Sequence, residues 1–436
     1  MNRFTIRGLA AAGAMALLLS AVAPAHADDG HILALAQMPA TQAGLIRDPN
    51  EGGTAPAQPA TETKKGAGST APTDIPVAVK SPSAVLMEAR SGRVIVQKNA
   101  HERRNPASVT KIMTLIVAFD ALRDGKVKME DKVTISDEAA KQVGTIIFAD
   151  TGETFTLSEL LKSVAVGSAN DAAVAVGEHV SGSTEAFVQA MNAKAKELGM
   201  HDTQFQNTTG LSADGHFTSA FDIALMSRYA ALNYPELMRL TSIYGADLQV
   251  PWRRNGPTFR LWNNNKLLTW YPGADGLKTG WTEAAGYCLA ATAVKGDVRM
   301  ISVIMGAESW KIRNAEAAKL LDYGFSNYTS VTLAPKGQAV GLVSVSRGKL
   351  PKVEAIPQTL FAVGVAKGEK GKVKTEVRLK KGVTAPVEAG QVLGEIIATM
   401  DGKEIARMDL VASVAVPRAN FWENLVGQAR RIFSLQ

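Results

Sequence analysis

Cysteine is nearly absent from the sequence, with Cys288 as its single example among 436 residues. A lone cysteine excludes an intramolecular disulfide framework, and the apolar neighbours of Cys288 indicate an inert buried residue. Zinc-finger cysteine spacing and the aromatic signature of RNA-binding modules are also missing. The formal charge of +7 therefore predicts no nucleic-acid partner, and so mild a basic excess suits an acidic surface of the cell envelope.

The N-terminal apolar run from Leu9 to Val22 is too short to predict a membrane-spanning helix. Spanning requires ~20 apolar residues, and no stop-transfer pattern follows the run. Arg3 and Arg7 precede it, and an A-x-A cleavage site follows at Ala25 to Ala27. This arrangement predicts a signal peptide over residues 1–27 and therefore an exported protein.

Composition divides the remaining chain into segments. Residues from about Asp48 to Pro76 are rich in Pro, Thr, Ala and Gly, and we predict a flexible tether over 28–76. Alternating apolar residues begin after Val77, and the turn from Arg90 to Arg93 predicts a β-hairpin. With 46% apolar and 20% charged residues, the chain is able to form more than one core. The expected segments that follow the tether are a large folded domain over 77–330, a small β domain over 331–416 and an amphipathic helix over 417–436.

The first chemically informative motif is Ser108-Val-Thr-Lys111. Asn105 suits a helix N-cap and Pro106 the first helical position, so Ser108 is expected in the first turn, where its N–H lacks an intrahelical acceptor. That N–H suits an oxyanion on the carbon that the Ser108 hydroxyl attacks. Lys111 shares the same helix face, and its amine accepts the serine proton if burial and positive charge lower its pKa. Alone, the motif also fits an ordinary helix with a surface lysine.

The second motif, Ser168-Ala169-Asn170, lies between two predicted helices. A capping box at Thr156 to Glu159 opens the first helix, and helical periodicity resumes at Asp171. The tight turn between them projects a hydroxyl and an amide into a cleft. In a serine acyltransferase, Ser168 would relay a proton to the leaving amine while Asn170 orients the lysine and the substrate amide. Such a turn alone also fits local backbone hydrogen bonding.

The third motif, Lys278-Thr279-Gly280, opens a predicted β-meander. Gly280 allows a close approach to the backbone, while Lys278 supplies positive charge and Thr279 a hydroxyl. These groups suit a substrate that ends in a free carboxylate, and Lys278 would also lower the pKa of Lys111. An exposed strand end with a solvated lysine is the alternative for this motif alone.

In their order and flanking sequence, the three motifs resemble one family over residues from about Ser81 to Phe325. This part of the chain resembles the penicillin-recognising serine D-alanyl-D-alanine carboxypeptidases, which are low-molecular-mass penicillin-binding proteins. The segments that carry the resemblance are Asn105-Pro-Ala-Ser-Val-Thr-Lys-Ile-Met-Thr, Asn170-Asp-Ala-Ala, Gly276-Leu-Lys-Thr-Gly and Gly286-Tyr. It implies an α/β (α+β) transpeptidase-like catalytic domain with an antiparallel sheet flanked by helices, followed by a small all-β domain.

The resemblance also implies roles for individual residues. These roles are nucleophile for Ser108, base for Lys111, second catalytic element for Ser168 and Asn170, and substrate binding for Lys278. It further implies that Arg313 helps to bind the terminal carboxylate and that the N–H of Trp281 completes an oxyanion hole with that of Ser108. Ala169 departs from the family, which carries Gly there in carboxypeptidases and Asp in many β-lactamases. That departure leaves open the fine specificity and the deacylation rate.

The implied reaction removes the terminal D-alanine from peptidoglycan stem peptides through an acyl-enzyme on Ser108, with no metal or organic cofactor. β-Lactams would acylate the same serine. A D,D-endopeptidase that cuts cross-links is the alternative, and its activity would need Arg313 little. A β-lactamase would need a deacylating carboxylate, for which the sequence offers no clear candidate. A non-catalytic peptidoglycan-binding protein is disfavoured because all the catalytic side chains are present.

After the segment that resembles the family, the sequence predicts a second domain. Alternating runs such as Val373 to Leu379, with Asp401-Gly402 as a hairpin turn, predict an all-β domain. Its lysines between Lys367 and Lys381 fit a solvated strand face, or else a contact for acidic envelope polymers.

The final segment, Asn420 to Phe433, has helical periodicity. One sector holds Phe421, Trp422, Leu425, Val426, Ala429, Ile432 and Phe433. Arg430 and Arg431 lie in the opposite sector. This pattern suits a helix in a membrane interface, although packing on its own domain is the alternative. We therefore expect a periplasmic protein, or one held on the outer face of the cytoplasmic membrane through residues 418–436.

Overall fold

The computed structural model describes residues 77–250 and 258–420. The expected segments outside the described residues are the signal peptide over 1–27, the tether over 28–76 and most of the helix over 417–436. The described beginning of that last segment is not helical, because Arg418 forms a β-bridge with Gly348. Within the described part of the chain, no helix is both long and apolar enough to cross a membrane.

Helices and strands alternate in the larger domain, and strands dominate the smaller one. The helices are α1 (Lys111–Arg123), α2 (Asp137–Ala140), α3 (Leu157–Lys162), α4 (Asn170–Ser181), α5 (Thr184–Glu197), α6 (Ala220–Asn233), α7 (Pro235–Thr241), α8 (Leu267–Trp270) and α9 (Trp310–Asn327). The strands of the larger domain are β1 (Ser83–Glu88), β2 (Val94–Lys98), β3 (Lys132–Thr134), β4 (Thr154–Thr156), β5 (Gly245–Gln249), β6 (Thr258–Trp262), β7 (Ala274–Thr282), β8 (Gly286–Lys295) and β9 (Val298–Ala307). Those of the smaller domain are β10 (Tyr328–Ala334), β11 (Gly341–Ser346), β12 (Lys352–Pro357), β13 (Phe361–Ala366), β14 (Val373–Leu379), β15 (Val383–Thr384), β16 (Val392–Met400) and β17 (Lys403–Ala412).

A five-stranded antiparallel sheet forms the centre of the larger domain, with strand order β2-β1-β9-β8-β7. Successive side chains of a strand point to opposite faces. On β1, Val85 and Met87 therefore enter the core shared with α1 and α6, whereas Ala84 and Leu86 enter a second core against α9. The predicted hairpin, the predicted meander and the antiparallel sheet flanked by helices are confirmed.

Helix α1 lies inside the helical layer. Its side chains are apolar around most of its circumference, and Ile112, Met113, Leu115 and Ile116 are all buried. A helix of this kind needs neighbours on every side, and α1 packs among α4, α5 and α6. A short 3-10 turn, Ala107–Thr110, leads into α1 and packs against β7. The nucleophile motif is thus placed where the helical layer meets the edge of the sheet.

The smaller domain is all-β, as the sequence predicts, and has a core of its own. Its main sheet has the strand order β14-β16-β17-β12-β11-β15, and β10 pairs separately with β13. Asp401 and Gly402 join β16 to β17 with left-handed φ values of 50° and 77°, which suits a two-residue hairpin turn. The lysines from Lys367 to Lys381 are exposed on and around the edge strand β14.

Candidate active site

Ser108 lies on the 3-10 turn directly before α1. The prediction that Asn105 caps this helix is wrong, because the N-cap position falls at Pro106 and carries no side-chain hydrogen bond. Pro106, with a φ of −78°, occupies the N-cap position, and its side chain has no oxygen to accept a hydrogen bond, so the turn begins without a capping side chain. Ser108 still occupies the first turn, as the sequence predicts.

Lys111 is completely buried, and its amine contacts three oxygen atoms. Nζ lies 3.0 Å from Ser108 Oγ, 2.6 Å from Asn170 Oδ1 and 2.7 Å from the Thr209 carbonyl oxygen. A neutral amine has two N–H groups and one lone pair. When the N–H groups donate to Asn170 and Thr209, the lone pair faces the Ser108 hydroxyl. This is the geometry that a general base requires.

The surroundings of Lys111 favour its neutral form. Burial lowers the pKa of Lys111 well below its ordinary value, the positive charge of Lys278 lowers it further, and Asp171 opposes both. Burial, aided by the charge of Arg313, lowers the pKa of Lys278 to about 7. Both conditions that the sequence argument set for Lys111, burial and a neighbouring cation, are met.

The second motif follows the predicted capping box. Thr156 Oγ1 accepts the N–H of Glu159 at 3.1 Å, and the Glu159 carboxylate accepts the N–H of Thr156 at 2.7 Å. After α3, a π-helical turn, Ser163–Gly167, leads to the buried Ser168. Ser168 has a left-handed φ of 62°, which is uncommon for a residue with a side chain and is typical of functional turns.

Asn170 is held by its neighbours in one orientation. Its Nδ2 donates to the Val143 carbonyl at 2.5 Å, and its backbone N–H donates to the Thr145 carbonyl at 2.7 Å. A carbonyl partner for Nδ2 assigns the other side-chain atom as Oδ1, and this atom meets the Lys111 amine. The structure thus brings Ser108, Lys111 and Asn170 together.

The third motif lies on β7, at the edge of the sheet, where Lys278 and Thr279 are buried. The Lys278 amine donates to the Thr279 carbonyl at 3.0 Å. A Cβ on Gly280 would lie 2.9 Å from the backbone nitrogen of Ser108 and 3.0 Å from the Pro106 carbonyl oxygen. The close approach that the sequence assigned to a ligand is therefore made by the nucleophile turn itself.

Arg313 and Trp281 flank this strand. Arg313 on α9 is 4% exposed, and its guanidinium donates to the carbonyls of Cys288 at 3.5 Å and Asn264 at 3.4 Å. Its positive charge contributes to the lowered pKa of Lys278, so the two cations lie near each other. Trp281 follows Gly280 on β7 and pairs with Tyr287 across the sheet, while its side chain is half exposed.

Sequence reasoning missed the loop that closes the site behind the nucleophile. Thr209 supplies its carbonyl to Lys111, and Asn207 shapes the loop by accepting the N–H groups of Thr209 and Gly210 at 3.1 and 2.7 Å. Gly210 has φ 87°, and a Cβ there would overlap the Ala107 carbonyl. Asn followed three residues later by Gly is a turn signal that was available in the sequence.

His216 ties that loop to the nucleophile turn. Nδ1 accepts the backbone N–H of Gln206 at 3.1 Å, which leaves the proton on Nε2, 2.9 Å from Thr110 Oγ1. Burial lowers the pKa of His216 to about 4, so the ring is neutral near pH 7. No sequence pattern distinguished this histidine from any other. Over residues 77–250 and 258–420, no group of three or more His, Cys, Asp and Glu side chains is placed to hold a metal ion.

Two family profiles match the chain. That of the D-alanyl-D-alanine carboxypeptidases, peptidase family S11, matches residues 68–309. That of the C-terminal domain of penicillin-binding protein 5 matches residues 328–418. The D-alanyl-D-alanine carboxypeptidase DacF of Bacillus subtilis is 42% identical over 79% of this chain and 88% of its own length. DacC of Escherichia coli, with the same description, is 35% identical over 78% of this chain and 84% of its own length.

Solved structures give the same picture. Penicillin-binding protein 5 of Haemophilus influenzae covers 80% of this chain and 100% of its own, with 32% identity and a TM-score of 0.61. Penicillin-binding protein D2 of Listeria monocytogenes, in its ampicillin-bound form, covers 57% of this chain and 98% of its own. Its identity is 29% and its TM-score 0.51.

Proposed function

Because the chain belongs to the D-alanyl-D-alanine carboxypeptidase family, we propose that Ser108 attacks the peptide bond between the last two D-alanines of a peptidoglycan stem peptide. The chain is a serine-type hydrolase that releases the terminal D-alanine and binds β-lactams. One observation carries the assignment of roles: the buried Lys111 amine is held by Asn170 and Thr209 with its third contact on Ser108 Oγ.

In the acylation step, the Ser108 hydroxyl proton passes to Lys111 as Oγ bonds to the carbonyl carbon. The negative charge on the carbonyl oxygen is received by the N–H groups of Ser108 and Trp281. The contact of Gly280 with the Ser108 turn supports this pairing, because it brings the two segments into direct contact. The C–N bond then breaks, Ser168 passes its hydroxyl proton to the leaving amine, and the protonated Lys111 returns a proton to Ser168 and becomes neutral again.

Lys278, Thr279 and Arg313 hold the carboxylate of the terminal D-alanine in this proposal. Lys278 and Arg313 are buried near each other, and the hydrogen bonds of both side chains go to carbonyl and amide oxygens rather than to carboxylates. Two such cations favour an anionic ligand. After D-alanine leaves, water attacks the ester carbon and gives a proton to the neutral Lys111, which passes this proton to Oγ as the C–Oγ bond breaks and restores the Ser108 hydroxyl. The shortened stem peptide is the second product.

The direct test is mass spectrometry of the full chain after treatment with penicillin. Wild type is expected to gain the mass of one penicillin on the peptide that contains Ser108, and Ser108→Ala is expected to gain none. Ser242→Ala, which removes a serine hydroxyl at the end of α7, is the control and should label like wild type. An adduct on Ser108→Ala would assign the nucleophile to another residue.

We also propose that the protein is exported and held at the membrane through residues 418–436. The leader-like residues 1–27 and the amphipathic periodicity after Asn420 support this location. Deleting residues 418–436 should move the protein from the membrane fraction to the soluble fraction while penicillin labelling persists. Unchanged fractionation would contradict the anchor.

A further inference from the structure

The hairpin of β5 and β6 has one buried face and one exposed face. The exposed cross-strand pairs are Gly245 with Trp262, Asp247 with Arg260, and Gln249 with Thr258. On the other face, Leu248 and Leu261 enter the main core. This alternation is that of a strand pair with one side in solvent. The exposed side combines one large aromatic ring with charged and amide groups.

Trp262 is held in place although 52% of it is exposed. Its ring lies against Gly245, where a Cβ would be 3.0 Å from the indole Cζ3. The Arg260 guanidinium lies 4.8 Å from the ring centroid, and the ring of Tyr244 lies 5.7 Å from it. These three neighbours fix the indole, so a ligand that packs on it encounters an already ordered surface.

Polar groups surround the exposed indole. Arg260 and Asp247 form an ion pair at 2.7 Å, and the Lys266 amine donates to the Tyr244 hydroxyl at 3.0 Å. A lipid surface or an apolar protein face would remove water from the ion pair without replacing its hydrogen bonds. A sugar packs its C–H face on an aromatic ring and offers hydroxyl and amide groups to such polar neighbours.

The buried face of the hairpin packs against the segment that leads into the second motif. Leu261, which points inward from β6, packs on Gly167, where a Cβ would lie 2.8 Å from Leu261 Cδ2. Gly167 immediately precedes Ser168. The hairpin is thus in direct contact with the turn that precedes Ser168, so its exposed face lies a short distance along the chain fold from the second motif.

We propose that the exposed face formed by Tyr244, Asp247, Arg260, Trp262 and Lys266 binds the glycan strand of peptidoglycan while the attached stem peptide occupies the active site. The inference rests on the proposed function, because only a substrate attached to a glycan brings N-acetylated sugars to this position. A soluble pentapeptide lacks the glycan and does not use this surface. The hairpin therefore distinguishes polymeric substrate from free peptide.

The test compares two exposed tryptophans in the full chain. Trp262→Ala removes the ring from the hairpin. Trp270→Ala is the matched control, because Trp270 on α8 is 54% exposed. Among the aromatic contacts of the described residues, Trp270 packs only beside Tyr271. The probe is glycan strands freed of stem peptides by an amidase. Trp262→Ala should bind them about five- to tenfold more weakly and lose a similar factor in kcat/KM on intact peptidoglycan. Trp270→Ala should match wild type in both, and Trp262→Phe should recover most of the loss.

Turnover of a soluble pentapeptide and penicillin labelling of Ser108 report on the active site in the same samples. Both should persist in Trp262→Ala. Unchanged glycan binding in Trp262→Ala, an equal loss in Trp270→Ala, or a parallel loss of pentapeptide turnover through the Leu261 contact would each overturn the inference. If Trp262→Ala does not fold, Arg260→Gln provides the same comparison. Absence of labelling in wild type would instead contradict the proposed function.

Discussion

The positive charges of the two domains lie in opposite environments. In the active site, Lys278 and Arg313 are buried near the neutral Lys111, and their hydrogen-bond partners are oxygen atoms of carbonyl and amide groups. In the β domain, Arg378 and Arg407 lie in solvent and pair with glutamates on β14, β16 and β17. Burying cations without carboxylate partners destabilises a fold, and this cost supports the proposal that Lys278 and Arg313 bind an anionic ligand. The exposed arginine–glutamate pairs of the β domain, in contrast, indicate a surface that is solvated by water.

The two environments shift the same kind of group in opposite directions. Burial lowers the pKa of Lys278 to about 7, whereas the hydrogen bond to Glu404 raises the pKa of Arg407 above its ordinary value. Lys278 is therefore able to change its charge near neutral pH, whereas Arg407, as a guanidinium, stays charged. The comparison predicts large effects of substitutions in the site and almost none in the β domain.

The largest effect is expected for Lys111→Met, which keeps most of the side-chain volume but cannot accept a proton. The rate of acylation by penicillin, measured by stopped-flow or timed mass spectrometry, should fall by roughly 10³- to 10⁴-fold. Lys196→Met, at an exposed lysine of α5, should leave the rate unchanged. A loss of less than tenfold in Lys111→Met would assign the proton to another base.

The second-largest effect is expected for Gly210→Ala, because the added Cβ would overlap the Ala107 carbonyl and the φ of Gly210 is left-handed. The free energy of unfolding in denaturant should fall by about 2–4 kcal/mol. Gly402→Ala in the β domain is the matched control, since its φ is also left-handed but no atom lies within 4 Å of the added Cβ. It should lose only about 1 kcal/mol. Equal losses would mean that backbone strain alone governs both sites.

Arg313→Ala should raise KM for a pentapeptide with a free terminal carboxylate about ten- to a hundredfold, because a charge-assisted contact is lost. Turnover of a cross-linked dimer should change much less. Steady-state kinetics on the two substrates separates carboxypeptidase from endopeptidase activity. A pentapeptide KM equal to that of wild type would show that Arg313 does not bind the carboxylate. That result would support the alternative hypothesis of an endopeptidase.

A smaller effect is expected on raising the pH. The free enzyme loses the charge of Lys278 as the pH rises through its pKa of about 7, so KM for the carboxylate substrate should increase over that interval. Lys278→Met should have a higher KM at every pH without this increase. As the pH is lowered, the acylation rate of this variant should begin to fall at a higher pH than that of wild type, because removing a positive neighbour raises the pKa of Lys111. A KM that is flat with pH in wild type would contradict this role.

The smallest effect is expected for Arg407→Ala on the β domain. Its partners Glu395 and Glu404 are on the surface, and exposed pairs contribute little to stability. Thermal unfolding and penicillin labelling should both equal those of wild type within experimental error. A marked loss of labelling would show that the surface charges of the β domain reach the active site.

The sequence predicted the local structure correctly wherever side chains determine the chemistry or the periodic pattern. The Ser108 motif, the α3 capping box and the hairpin turn at Asp401 all lie in the predicted local structures. Prediction from the sequence failed where backbone atoms form the contacts. Thr209 contributes a carbonyl that any residue possesses, and Pro106 begins the nucleophile turn without a capping side chain. Such contributions depend on how distant segments meet, which local patterns do not specify.

Gly280 illustrates a prediction that was right in position and different in cause. The sequence indicated that a side chain would be excluded there, and a Cβ would indeed crowd the nucleophile turn. Pairing of a strand edge with a turn about 170 residues earlier is a long-range contact that sequence periodicity does not encode. The same limitation hid His216, whose partners Thr110 and Gln206 lie on different segments.

The burial of Cys288 gives the protein a practical property. It is the single cysteine of the sequence, its side chain is inaccessible, and burial raises the pKa of its thiol. Thiol reagents will therefore spare the native chain, since they react with exposed thiolates. A cysteine introduced at an exposed position would be the one attachment point for a fluorophore or spin label. Substrate-induced movements of this enzyme are thus open to spectroscopy without first removing a native thiol.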